Sequence, residues 1–491
     1  MSGIGDRSAR REPAARRFSI RTYGCQMNVH DSEKVANLLH HAGYEAAASE
    51  DDADLLIVNT CSIREKAEHH LYSDLGKLRE WKDAGGGRVI GVGGCVAQRV
   101  GDAILTRFSQ VDFVFGTHNV RHVAAMADAG LRGERSARTE ETDSNERFSL
   151  PERHPGYSGS TPGRAFLTVM EGCDMFCSFC IVPMTRGREI SRKATEILAE
   201  ACELAASGVR EVTLLGQTVN AYGRHDTRRG HSEQVGTMPF GRLLREISSI
   251  SGIERIRYTS PHPLFFDDNL VRAHADLASL CPHVHLPLQS GSDRVLERMR
   301  RRYTRAGYLD IVRALKDARP DIALTTDLIV GFPGETEDDF QQTLELVEEA
   351  GFVDQYSFKY SPRPGTKAAE FAPAEEVPGE VAQERLERLQ GLQRQLTLRY
   401  HRRRIEEDGA TRVLVEGPSR RGGNQLCGRD PYHRVVNFDA GGLEERPAPG
   451  EIVELRLVEA MPNSLIGQIG AGVAAGEPAV ASSSTRLLVA P

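Results

Sequence analysis

Cys173, Cys177 and Cys180 stand in one run, Gly172-Cys173-Asp174-Met175-Phe176-Cys177-Ser178-Phe179-Cys180. Cys25, Cys61 and Cys95 form a second, dispersed set. Thiolates are soft ligands that suit iron–sulfur clusters and zinc. A closed site of either kind uses four ligands, and each set supplies three. The expectation is two metal centres, each with one coordination position left open for chemistry. The compact spacing, Cys-x3-Cys-x2-Cys, can hold three corners of a cubane on a tight loop. Zinc with a distant fourth ligand is the competing reading. The spacing of the dispersed set decides nothing by itself. Cys202, Cys281 and Cys427 stand singly and are expected to pack rather than ligate.

Composition narrows the classes. A chain of 491 residues predicts two to four domains. With 40% hydrophobic and 27% charged residues it reads as an ordinary soluble globular protein. Nothing approaches the roughly 18–20 apolar residues of a membrane helix, so no membrane partner is expected. The nine cysteines are an odd number in a long chain, which argues against a secreted disulfide framework. A reducing, cytoplasmic setting is the expectation. Arginine far outnumbers lysine among the 62 basic residues, yet the net charge is −7. Any nucleic-acid binding must therefore use a local patch.

These cysteines need elements to position them. Apolar runs at Phe18–Tyr23, Leu55–Asn59 and Arg88–Val92 predict three buried strands, each followed by a helical pattern (Asp31–Ala42, Ser62–Arg79, Val96–Phe108). Cys25, Cys61 and Cys95 fall just past these strands. Ligands gather at the carboxyl ends of strands in open parallel sheets, so the three can converge. Further along, six strands alternate with helices: Ala165–Met170, Glu211–Leu215, Arg255–Thr259, His283–Leu288, Ala323–Val330 and Asp354–Tyr360. That rhythm predicts a parallel barrel or part of one, with the compact cysteine run after its first strand. Short β-type runs after residue 408 predict a small all-β barrel. The fold class is α/β.

Two resemblances sharpen the reading. The compact run, with aromatic Phe179 before the last cysteine, resembles the signature of the radical S-adenosylmethionine (SAM) enzymes. Tyr23-Gly24-Cys25-Gln26-Met27-Asn28, Asn59-Thr60-Cys61-Ser62-Ile63-Arg64-Glu65 and Gly94-Cys95-Val96-Ala97-Gln98-Arg99 resemble the three N-terminal motifs of the methylthiotransferases. Composition reads as a disordered arm at 1–16, a linker at 130–158 and a flexible tail at 473–491. The resemblance implies a methylthiotransferase N-terminal domain at 17–129, a radical SAM core at 159–404 as a partial (β/α)6 barrel and a TRAM barrel at 405–472. It implies two [4Fe–4S] clusters, one on Cys173, Cys177 and Cys180 that binds SAM, and an auxiliary one on Cys25, Cys61 and Cys95 that carries the inserted sulfur.

Pro183-Met184-Thr185-Arg186-Gly187, Gly216-Gln217-Thr218-Val219-Asn220-Ala221-Tyr222, Arg300-Arg301-Arg302-Tyr303-Thr304 and Arg434-Val435-Val436-Asn437-Phe438 resemble the MiaB-type branch. Met184 departs from that branch, which has an aromatic residue there. The branch methylthiolates C2 of N6-isopentenyladenosine at position 37 of tRNA, using one SAM as methyl donor and one as radical source. The implied partners are the tRNA anticodon loop and an electron donor of the flavodoxin or ferredoxin type. The relatives that act on a ribosomal-protein aspartate or on threonylcarbamoyl-adenosine remain as alternatives. So does another class, an iron–sulfur carrier with an RNA-binding tail.

Further candidate SAM contacts follow from position. Gln217 stands where many relatives carry a carboxylate that grips the SAM amino group. Gln289 and Ser290 end the fourth barrel strand and are expected to reach the ribose. Gly331 and Gly334, after the fifth strand, permit close backbone approach to a ligand; an ordinary strand-to-helix turn is the bland alternative. The loop holding Arg420, Arg421, Arg429 and Arg434, with Tyr432 and His433, is the candidate RNA surface, through phosphates first.

Overall fold

The computed structural model describes residues 15–62, 65–142, 144–154, 161–224, 236–407, 409–441, 445–469 and 488–489. All but the last two residues of the expected N-terminal arm lie outside that set. Within the expected tail, Leu488–Val489 pair alongside the first strand rather than standing alone. The chain divides into two compact units.

The first unit holds Met1–Glu140, Ser149–Tyr157 and Ser483–Pro491. Its strands are β1 (Arg17–Tyr23), β2 (Glu45–Ala46), β3 (Leu55–Thr60), β4 (Val89–Gly94), β5 (Phe113–Phe115) and β6 (Ser136–Arg138). They run in the order β2-β1-β3-β4-β5-β6, all parallel. Every residue of β3 and β4 is buried, as a parallel sheet covered on both faces requires. Helices α1 (Gln26–His41), α2 (Glu65–Asp83), α3 (Cys95–Val100), α4 (Asp102–Arg107) and α5 (Val123–Leu131) supply the cover. The single helix expected over 96–108 is two, because the chain turns at Gly101 with φ +54°. The stretch expected as linker from residue 130 contributes β6, recruited by backbone pairing to β5. Edge pairing of this kind leaves no hydrophobic pattern to read.

The second unit holds Glu141–Phe148 and Ser158–Ser482. Six strands are β7 (Arg164–Thr168), β10 (Glu211–Leu215), β11 (Arg255–Tyr258), β12 (His283–His285), β13 (Ala323–Val330) and β14 (Asp354–Lys359). Between β7 and β10 lies a two-residue hairpin, β8 (Met170–Glu171) against β9 (Ile190–Ser191). β7, β10 and β11 form one parallel sheet and β12, β13 and β14 another, with Leu280 bridging to Ile256 at the seam. Among the described residues β7 and β14 do not pair, so the arc stays open: a partial barrel, as expected. Helices α6 (Val182–Arg186), α7 (Ala194–Ala206), α8 (Phe240–Ser248), α9 (Asp268–Asp276), α10 (Asp293–Arg298), α11 (Arg305–Ala318) and α12 (Glu337–Ala350) return the chain between strands. Asp267, Ser292, Thr304 and Thr336 cap α9, α10, α11 and α12, each side chain accepting a first-turn N–H.

Helix α13 (Gly379–Glu407) leads into β15 (Ala410–Pro418), β16 (Gln425–Arg429), β17 (Val435–Asp439), β18 (Ile452–Ala460) and β19 (Leu465–Ile469), a closed five-stranded barrel. This barrel belongs to the same compact unit as the strand–helix arc because buried charges join them. Arg257 donates to Glu211 (3.0 Å) and to the carbonyls of Pro431 (2.9 Å) and Asp430 (2.7 Å). Arg255 donates to the carbonyls of Arg429 and Arg412. Burial opposes ionisation of Glu211, but Arg257, Arg164 and Arg255 outweigh it and hold its carboxyl below the usual range. The ring of His433 stacks on His283 at 5.2 Å. Removing one partner of a buried pair costs about 3–5 kcal/mol. Arg257→Ala should therefore lower thermal stability by that order and expose the β16–β17 turn to limited proteolysis, both measurable on the purified chain.

Candidate functional site

The compact cysteine loop leaves β8 and returns at β9, so a short antiparallel hairpin closes its base. Gly172, at φ +81°, starts it; a Cβ there would collide with the carbonyl of Arg188 on the returning limb. The N–H of Cys173 donates to Gly187 O at 3.2 Å. Asp174 and Arg188 pair across the loop at 2.6 Å. Arg147 is buried and donates to the carbonyls of Arg186 and Arg188, both at 3.3 Å.

Neighbouring elements fix the rest of the loop. Gln217, just past β10, accepts the N–H of Gly172 at 2.5 Å. The Thr218 hydroxyl lies 3.1 Å from Cys173 Sγ. The Ser178 N–H donates to Met299 O (3.1 Å) and its hydroxyl to Arg298 O (2.8 Å). The N–H of Ala368 donates to Ser178 O at 2.8 Å. Arg301 donates to Cys177 Sγ at 3.3 Å. Phe179 packs between this loop and the side chains of Val295, Met299 and Phe332.

Cys173 and Cys177 are buried and Cys180 is partly covered. Desolvation pushes the Cys180 thiol up to about 12, with Cys177 and Cys173 adding to the rise. Desolvation likewise raises Cys173, against the Thr218 hydrogen bond. Thiols so placed are poor nucleophiles by themselves. A bound cationic metal core deprotonates coordinating thiols outright, so the donor set fits a cluster. Among the described residues no three His, Cys, Asp or Glu side chains are arranged to hold a single metal ion. The ligands of a cubane each serve a different iron and stand further apart than those around one zinc.

In the first unit the dispersed cysteines are brought together by register. Tyr23 of β1 lies opposite Thr60 of β3, and Thr60 opposite Gly94 of β4. Cys61 and Cys95 follow at once, and Cys25 follows after Gly24. Neighbouring strands are about 4.8 Å apart, so the three residues stand side by side at one end of the sheet. Gly24 has φ +134°, and a Cβ there would strike Cys61 Cβ. A Cβ on Gly94, at φ +96°, would strike the Asn59 side chain. Asn59 in turn donates to Asn28 O (2.8 Å) and to the Ser32 hydroxyl (2.9 Å). The close approach of the three turns explains the glycines.

Several expected contacts have other work. Ser290 is buried, its hydroxyl accepting from the N–H of Ser292 (3.3 Å) at the start of α10 and facing Thr343. Its hydroxyl is therefore engaged in the packing at the start of α10. Gly331 donates its N–H to Glu335 (2.7 Å), and a Cβ there would meet Ala382 of α13. Gly334 donates to Glu375 O at 2.6 Å. Both glycines are required by these turns. Gln289 has φ +76°, a left-handed conformation uncommon outside glycine. Arg434 is buried, pairing with Asp354 (2.8 Å) and donating to His401 (3.0 Å). Arg429 pairs with Glu416 at 3.1 Å. Arg434, with Tyr432 and His433, ties the small barrel to the strand–helix arc, whereas the Arg429–Glu416 pair lies within the small barrel; both arginines are thus already engaged by carboxylates. Arg420 and Arg421 are exposed. Cys281 is buried as expected, whereas Cys202 is exposed on α7.

Sequence reasoning missed Thr218 and Arg301 as neighbours of the cysteine loop, and Asn220 as a clamp on the loop after β11, although the motifs containing them stood out. Asn220 grips the backbone of His262 through two hydrogen bonds, 3.0 and 2.8 Å. Arg147 lay in a stretch with linker composition and gave no signal.

Two family models match this chain. One is described as "Uncharacterized protein family UPF0004" and covers residues 17–116. The other, "Radical SAM superfamily", covers residues 167–347. Together with the three-thiol loop at the end of β8, the second makes this a radical SAM enzyme, for which SAM and a [4Fe–4S] cluster are the cofactors. A relative from Geobacter metallireducens is 49% identical over 92% of this chain and 97% of its own length. One from Geobacter sulfurreducens is 46% identical over 92% and 96%, and one from Nocardia farcinica 44% over 92% and 88%. All three are named tRNA-2-methylthio-N(6)-dimethylallyladenosine synthase. The chain belongs to that family of tRNA methylthiotransferases. No helix among the described residues is long and apolar enough to cross a membrane.

Gly172→Ala tests the loop geometry. Both the positive φ and the Arg188 carbonyl forbid the methyl group, so the purified variant should lose most of the iron and sulfide of the radical SAM cluster. Colorimetric iron and sulfide analysis after anaerobic reconstitution measures this.

Proposed function

We propose that this chain methylthiolates C2 of N6-dimethylallyl-adenosine at position 37 of tRNA. Two three-thiol sets in one chain carry the reading, one past the carboxyl ends of the parallel strands β1, β3 and β4 and one in the β8–β9 hairpin loop that follows parallel strand β7. The cluster that Cys173, Cys177 and Cys180 would hold supplies one-electron cleavage of SAM to methionine and a hydrogen-abstracting 5′-deoxyadenosyl radical.

The protein's own contribution is positioning. The β8–β9 hairpin, Gln217, Thr218 and the carbonyls of Arg298 and Met299 hold the loop that carries the three thiols, which would leave one iron of a bound cluster without a protein ligand. Phe179 and Met175 shield the loop from water. In the first unit, Cys25, Cys61 and Cys95 would hold a second [4Fe–4S] cluster whose open iron carries the sulfur to be inserted. One SAM serves as methyl donor and another as radical source, with electrons from a flavodoxin- or ferredoxin-type donor. Arg420 and Arg421 are the arginines of the β15–β16 loop still available to tRNA phosphates.

Cys177→Ala should abolish 5′-deoxyadenosine formation from SAM under reduction. Cys61→Ala should still cleave SAM but yield no methylthio product; full product from it would sink the second-cluster assignment. Nucleoside mass spectrometry of tRNA from a deletion strain tests the substrate. The methylthiolated nucleoside should vanish and the dimethylallyl precursor accumulate. An unchanged tRNA profile with loss of a ribosomal-protein modification would redirect the reading.

A further inference from the structure

The Arg300-Arg301-Arg302-Tyr303 segment has no part in the reaction described above, yet its geometry is unusual. Arg300 and Arg302 are exposed and both have φ +59°. Two left-handed non-glycine residues in so short a span are strained and persist where the surroundings impose them. Between them Arg301 is turned inward and left 6% exposed. Its guanidinium donates to Tyr303 Oη (3.0 Å), to Pro287 O (3.2 Å) and to Cys177 Sγ (3.3 Å). Tyr303 Oη in turn donates to Leu288 O at 2.6 Å, which fixes it as the acceptor for Arg301 Nε. Among the described residues no carboxylate lies within ion-pair distance of Arg301.

A buried guanidinium is stable only when paired. A neutral thiol is a weak acceptor and carries no charge, so Cys177 as a thiol does not answer this requirement. As a cluster ligand it does, because a cubane on three thiolates carries negative charge that increases on reduction. We infer that Arg301 is a positioning and tuning residue for the cluster on Cys177: its charge and N–H···S hydrogen bond stabilise the reduced cluster and raise its reduction potential. Hydrogen bonds to ligand sulfurs and local charge are the levers that set such potentials. The consequence is an easier electron transfer from the external donor. This rests on the proposal that Cys173, Cys177 and Cys180 hold the cluster.

The test is the midpoint potential of the SAM-free cluster, read by EPR-monitored redox titration of the full chain in which Cys25, Cys61 and Cys95 are replaced by alanine. Arg301→Gln should lower the midpoint enough to shift the reduced-to-oxidised ratio at least tenfold at fixed potential, which is about 59 mV for one electron. Iron and sulfide content should stay that of one cluster. An unchanged midpoint with the cluster present overturns the inference. So does an effect seen only as weaker SAM binding, which would make Arg301 a contact of the SAM carboxylate. Absence of iron from the parent chain would instead overturn the cluster assignment itself. Should Arg301→Gln fail to load iron, the parent chain labelled with 15N-arginine decides. The reduced cluster should then show a 15N coupling in pulsed EPR, and its absence sinks the hydrogen bond.

Discussion

A nine-residue loop with no helix or strand of its own must present three sulfurs in a fixed triangle. Regular secondary structure would satisfy its backbone internally. This loop instead relies on acceptors outside itself. Gly172 donates to a side chain past β10, Cys173 to the returning limb, and Ser178 to the carbonyls at the end of α10. Buried N–H groups without partners are costly, so each external acceptor is as necessary to the triangle as the cysteines. The barrel strands matter because they deliver those acceptors. Gln217 and Thr218 follow one strand, the Asn220–His262 clamp ties that loop to the next, and Arg298 ends, and Met299 to Arg301 follow, the helix after β12.

The first unit brings its three cysteines together differently. Its thiols come from three separate turns, and parallel register alone aligns them. That alignment was legible in the sequence, since a largely apolar strand ended at each cysteine. The six strands of the partial barrel and most of its helices were equally legible, because a buried parallel strand and an amphipathic helix each leave a periodic trace. What left no trace was pairing through backbone alone. The edge strand at Ser136–Arg138 is polar and short, and nothing in its side chains announces it. The break at Gly101 was hidden because a glycine in a helical pattern is compatible with continuation.

Arginine was the least legible residue type. In sequence Arg420, Arg421, Arg429 and Arg434 formed one basic loop. In the fold, Arg434 turns inward to Asp354, the partly exposed Arg429 pairs with Glu416 on the neighbouring strand, and Asp430 and Pro431 between them receive Arg257. Burial pushes the Asp430 carboxyl up, against the pull of Arg404, which places it among groups that need those guanidinium partners to stay charged. Composition cannot separate an arginine that binds a phosphate from one that binds a carbonyl. Both uses exploit the same planar fork of donors. Only the identity of the acceptor differs, and that is a property of the tertiary structure.

The nature of the acceptor also distinguishes Arg301 from the barrel-locking arginines. Arg255 and Arg257 are buried beside Glu211, whose carboxylate lies within ion-pair distance of both whatever is bound elsewhere. Arg301 has neutral oxygens and one sulfur for partners. Its burial is balanced only when that sulfur carries charge, so the arginine and the cysteine are matched to a state of the site that the polypeptide alone does not supply. A fold selected only for stability would place an apolar side chain there, since replacing an unbalanced buried charge with well-packed hydrocarbon is neutral or stabilising. The retained guanidinium, with its two left-handed neighbours, is therefore best understood as a cost in stability accepted for the electronics of the centre it faces.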